Sequence, residues 1–138
     1  MLNFDAASVT VQPLYLFGLA STQGRYLEIR QTAIAENVAN VNTPGYKAVD
    51  VAPFSAVYDS AGSQMAVTHT DDLSPDLFDL ASISTNETTP WEVSYSGNSV
   101  SLEQEMLKAD EVNRDYSMNM AVSTAFNRML ATSVKGPP

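Results

Sequence analysis

From Leu102 to Val134 apolar residues return every third or fourth position without a break: Leu102, Met106, Ala109, Val112, Tyr116, Met120, Val122, Phe126, Met129, Leu130 and Val134. That period belongs to an α-helix with one apolar stripe, and no Gly or Pro interrupts it before Gly136. Its start is marked as well. Ser101 and Gln104 have capping-box spacing, and Glu103 and Glu105 place negative charge at the positive end of the helix dipole. Asn113 and Asn127 share a heptad position with Met106 and Met120, so the stripe is not a pure coiled-coil seam. A helix this long draws its stability from a surface that covers its stripe, and that requirement constrains the fold more than any other feature.

The partner is at the other end of the chain. Leu27, Ile34, Val38 and Val41 recur at helical spacing, with Ala33, Ala35 and Ala39 permitting close approach. This helix is expected to start anywhere from Pro13 and to run to about Asn40, with Gly18 and Gly24 each weakening it by about 1 kcal/mol relative to alanine. It stops at an asparagine-rich exit, where Asn40 and Asn42 suit a helix C-terminus and Pro44 and Gly45 fit the central pair of a type II turn. The expected fold is therefore mainly α, with N- and C-terminal helices packed as an antiparallel coiled-coil-like core. Residues 1–47 and 98–138 form that discontinuous core, and residues 48–97 form an irregular arm with short β elements. Strand propensity in the arm is highest at Met65–Thr70 and Trp91–Tyr95, while Leu80–Thr89 is polar enough to be disordered.

Charge narrows the function. The net charge is -9, and no Lys or Arg lies between Lys47 and Lys108, so the excess of carboxylates sits in the middle. Phosphates and anionic lipid would be repelled, which argues against nucleic-acid binding. The apolar run Leu14–Ala20 is too short to span a bilayer, and no basic residue precedes it as a secretory signal would need. With no cysteine there is neither a disulfide nor a thiol nucleophile. His69 is the single histidine and has no nucleophile motif around it; Asp71, Asp72, Asp76 and Asp79 lack calcium-loop spacing. No catalytic residue, metal or cofactor is expected.

Asn37-Val38-Ala39-Asn40-Val41-Asn42-Thr43-Pro44-Gly45-Tyr46-Lys47 resembles the N-terminal motif of the axial proteins of the bacterial flagellum, the rod and hook family. Asp50–Phe54, Leu73-Ser74-Pro75 and Ser96–Met106 look like further stretches of its compact proximal rod subunits, although Asp72 stands where that pattern carries a histidine. The resemblance implies a structural subunit that polymerises into a hollow, torque-transmitting shaft. It implies as partners copies of the same chain, other rod proteins, the rod-to-ring adaptor FliE, the MS ring and the type III export apparatus. It also implies a periplasmic place in the basal body, reached without a cleaved signal. The residues expected to carry assembly are the motif positions Asn37, Asn40, Asn42, Thr43, Pro44, Gly45 and Tyr46. With them come the packing positions Leu27, Ile34, Val38, Val41, Leu102, Met106, Val112, Tyr116, Met120, Phe126 and Leu130. A companion proximal rod subunit, or a soluble helical binding module or export chaperone using the same stripes, are the alternatives.

Overall fold

The computed structural model describes residues 6–62 and 85–136. Two long helices dominate it: α1 (Ala6–Ala39) and α3 (Leu102–Lys135). Between them lie β1 (Val49–Val51), a short helix α2 (Phe54–Gly62) and β2 (Thr85–Glu87). The long helices are antiparallel. Phe17 meets Phe126 edge-on at 5.3 Å, Asn119 donates to the Ala20 carbonyl at 2.9 Å, and Arg30 reaches Glu111 at 3.1 Å.

Both helix ends follow the local chemistry. Ser101 caps α3 in an extended conformation and accepts from the Gln104 N–H, as the capping-box spacing predicts. At the exit of α1 the Tyr46 N–H bonds the Thr43 carbonyl across Pro44-Gly45, and Gly45 takes φ +74°, the geometry of a type II turn. Among the described residues no non-glycine has positive φ, so Asn40 and Asn42 do not end the helix by turning left-handed.

The apolar core is small: Tyr26, Leu27 and Ile34 of α1, Val51 of β1 and Val112 of α3, with Ile29, Phe54, Val57 and Ala109 packed around them. The middle segment contributes to it. Tyr26 donates to the Ala52 carbonyl at 2.8 Å and lies 5.3 Å from the Phe54 ring, which anchors the start of α2 on α1. The hydroxyls of Tyr15 and Tyr58 meet further along α2.

Among the described residues the strands lie outside Trp91–Tyr95, where propensity places one. β1 and β2 pair antiparallel, Val49 opposite Glu87 and Val51 opposite Thr85. Trp91–Tyr95 forms no strand, and its three apolar side chains Trp91, Val93 and Tyr95 are exposed. Thr85–Glu87, inside the stretch expected to be disordered, is ordered by its backbone bonds to β1 rather than by its side chains, which are all exposed. The Met65–Thr70 expectation lies outside the described residues.

Candidate functional site

The exit of α1 and the entry to α3 meet in one polar junction. Residues 43–48 run beside 94–99: the Gly45 N–H bonds the Ser96 carbonyl, the Ser99 N–H bonds the Tyr46 carbonyl, and the Ala48 N–H bonds the Ser99 hydroxyl. Gly97 takes φ +80°, the left-handed geometry that favours glycine, and a Cβ there would sit at ordinary contact distance, 3.7 Å, from the Gly45 Cα. Asn98 lies at the centre, 3% exposed. Its amide nitrogen donates to the carbonyls of Asn40, Val41 and Thr43 at 2.9, 3.0 and 2.7 Å, and its oxygen accepts from the Val100 N–H at 2.8 Å. The carbonyls of the exit just beyond α1 are thus gathered by a residue far away in sequence.

Asn37 does the corresponding work one turn earlier. Its side chain is fully buried, accepts from the Val49 N–H at 3.0 Å and donates to the Val49 carbonyl at 2.7 Å. The amide therefore pairs with the β1 backbone as a neighbouring strand would. Its nitrogen also donates to Glu105 Oε2 at 3.0 Å, and the Tyr46 hydroxyl leans on its oxygen at 3.4 Å. Glu105, 1% exposed, is held on its other oxygen by Lys108 at 2.9 Å. Lys108 reaches Asp50 at 3.5 Å, and Asp50 receives Arg30 at 3.3 Å. Burial works against the Arg30 charge, but the hydrogen bond and charge of Asp50, with Glu111 behind it, outweigh that and raise its pKa. Burial likewise pushes the Tyr26 phenol up. In the described residues every buried side-chain polar atom has a partner.

Gly45 gives a direct test of the turn. No atom lies within 4 Å of a Cβ placed there, so Gly45→Ala meets no clash and isolates the backbone term. Urea unfolding is expected to show a loss of about 1 kcal/mol, the cost of left-handed geometry to an L-residue.

The two flanks of α3 are the opposite in character. Leu102, Met106, Tyr116, Met118, Met120, Val122 and Met129 are all exposed, Met106 by 63% and Met120 by 50%. An apolar groove of about 220 Å³ between α1 and α3, lined by Leu16, Leu19, Phe54, Met118 and Val122 among others, has Asp115 as its single charged group. Among the described residues no cluster of ligand-type side chains could hold a metal, and no helix is long and apolar enough to cross a membrane.

The family described as flagella basal body rod protein matches residues 27–47, the second half of α1 together with the turn. Flagellar basal body rod protein FlgB of Agrobacterium fabrum (strain C58 / ATCC 33970) is 38% identical over 133 residues, covering 91% of this chain and 97% of that protein. The chain belongs to the flagellar basal-body rod protein family. It is a structural rod protein of the flagellar basal body, not an enzyme, and it assembles with other rod components.

Seen as a rod protein, the expected assembly residues divide into three groups. Leu27, Ile34 and Val112 are buried together, and Phe126 packs on Phe17. Asn37, Asn40, Thr43, Pro44, Gly45 and Tyr46 build the junction, where Asn40 donates to the Glu36 carbonyl and accepts from the Thr43 hydroxyl; Asn42 is exposed. Val38, Leu102, Met106, Tyr116 and Met120 are exposed, while Val41 and Leu130 are half-buried. The face that α3 turns inward carries Glu105, Lys108, Ala109, Val112, Asp115, Asn119 and Ser123 instead. Asn98, Ser99, Glu105 and Lys108 are not among the expected assembly residues, although the first three lie in the Ser96–Met106 stretch that resembles the family; the local cue to the ion pair is the i, i+3 spacing of Glu105 and Lys108. His69, Asp71, Asp72, Asp76 and Asp79 lie outside the described residues.

Proposed function

We propose that this rod protein is a subunit of the proximal rod, the hollow shaft that carries torque through the basal body. Its copies stack helically with the terminal helices inside, and Val38, Leu102, Met106, Tyr116, Met120 and the half-buried Val41 and Leu130 cover one another across subunits. The observation that carries this reading is the set of large apolar side chains left exposed along α3, since exposed apolar patches mark interaction surfaces. Its neighbours at the ends of the stack are other rod proteins, the rod-to-ring adaptor FliE and the MS ring. Residues 1–47 and 98–138 form the stacking domain, and 48–97 the arm; the packing of Val51 and Phe54 on α1 supports counting the first part of the arm with the core. The subunit reaches the periplasmic space through the type III export apparatus, and a core of so few apolar side chains suits a chain that must travel unfolded.

The test separates folding from stacking. Met120→Asp adds charge to a half-exposed position, so helix content should match the parent and the unfolding free energy in urea should stay within about 0.5 kcal/mol of it. Basal bodies from cells carrying it should lack rods when viewed by electron microscopy. Rods of normal number and length would remove the α3 face from the assembly.

A further inference from the structure

We propose that Asn37, Glu105, Lys108, Asp50 and Arg30 form a register lock that permits one alignment of α3 on α1 and clamps β1 to both. The five side chains alternate between elements: Asn37 and Arg30 on α1, Glu105 and Lys108 on α3, Asp50 on β1. Glu111 of α3 closes the chain back onto Arg30 at 3.1 Å. The polar contacts thus run as a chain through three elements, and its charged members Glu105, Lys108, Asp50 and Arg30 are all largely out of water.

Apolar packing alone does not set this alignment. The inward face of α3 offers Ala109 and Val112 to Tyr26, Leu27, Ala33 and Ile34, and a slide of one turn, about 5.4 Å, still leaves apolar neighbours for each. The same slide is ruinous for Glu105. In one direction its carboxylate faces Ala33 and Ile34, which supply no donor; in the other it passes the last turn of α1. A buried carboxylate without partners penalises both alternatives, and buried polar groups are best attested in this register-fixing role. Asn37 adds the second condition. Its amide can satisfy Val49 and Glu105 together only when β1 and α3 are both docked, so the arm and the C-terminal helix order as one unit.

The lock rests on the rod reading for its in-cell readout alone. Glu105→Gln keeps the acceptor for Asn37 but turns an N–H₂ toward the Lys108 ammonium, leaving a buried cation without its nearest anion. Lys108→Met in the same chain removes that conflict. In flagellated cells, Glu105→Gln should reduce the number of rod-bearing basal bodies at least ~10-fold, and Glu105→Gln with Lys108→Met should restore most of it, as coupled partners require. In the purified chain the ratio of folded to unfolded protein, followed by circular dichroism in urea, should fall ~100-fold for Glu105→Gln and recover in the pair. A pair variant as impaired as the two single effects combined, or a Glu105→Gln chain indistinguishable from the parent, overturns the lock. Deleting the whole chain is the control: normal rods without it would refute the rod reading, and the urea series would then judge the lock by itself.

Discussion

Ile34→Asp is expected to separate the two terminal helices. Ile34 is 3% exposed and lies in the cluster with Tyr26, Leu27, Val51 and Val112, where no donor faces its side chain. The substitution removes about 2 kcal/mol of apolar burial and adds a carboxylate that must stay charged without a partner or drag water into the core. The combined cost is about 4 kcal/mol or more, against a total stability of about 5–15 kcal/mol for an ordinary domain. Since the apolar core here is small, the variant should lose most of its helical circular dichroism at neutral pH and build no rods. Ile34→Val, which removes one methylene, should cost about 1 kcal/mol and keep both properties. An Ile34→Asp chain with the parent's helix content would mean that the helices are held by their polar contacts alone.

The two helices and the turn between core and arm were legible in the sequence because each has a strong local cause. Three-and-four periodicity over many turns has no reading other than a helix, Ser101 with Gln104 marks a start, and Pro44-Gly45 fits one turn type. The failures are equally physical. Periodicity reports that α3 has an apolar stripe but not what covers it. Met106, Tyr116 and Met120, expected to carry helix packing or the subunit interface, stay exposed in the single chain, as interface positions of a polymer subunit can. The face that does turn inward reads as solvent-facing because Glu105, Lys108, Asn119 and Ser123 are polar, and their partners, Asn37, Asp50 and the Ala20 carbonyl, come from far along the chain.

The strands were illegible for a related reason. Three residues are too few to show a period of two, and Thr85-Asn86-Glu87 has no β-leaning composition beyond Thr85. What makes Val49–Val51 a strand is a partner on each edge, β2 on one and the Asn37 amide on the other. Trp91-Glu92-Val93-Ser94-Tyr95 has the composition without either partner and stays irregular. Asn37 was singled out for its place in the motif, while its work, standing in for a strand, depends on geometry that sequence spacing does not encode.

Asn98 supports the sharpest ordering of variants. Its side chain satisfies three carbonyls and one N–H, all drawn in around a residue that is 3% exposed. Asn98→Ala removes all four bonds: the Asn40 and Thr43 carbonyls keep the turn bonds from the Thr43 and Tyr46 N–H groups, while the Val41 carbonyl and the Val100 N–H lose the partner Asn98 gave them, so its cost should be about 2–4 kcal/mol, above the roughly 1 kcal/mol of an ordinary helix cap. Asn98→Asp is nearly the same size and still accepts from Val100, but it points a carboxylate at the Asn40, Val41 and Thr43 carbonyl oxygens in place of a donor. At neutral pH it should therefore be less stable than the alanine variant, although a cavity argument would rank it closer to the parent. Hydrogen exchange locates the damage: the amides of Thr43, Gly45, Tyr46 and Ser99 should lose protection in both variants before those in the middle of α1 do. Should the aspartate chain prove as stable as the parent, the exit of α1 is held by its own turn bonds, and the end of the core helix forms without help from the strand of chain that leads into α3.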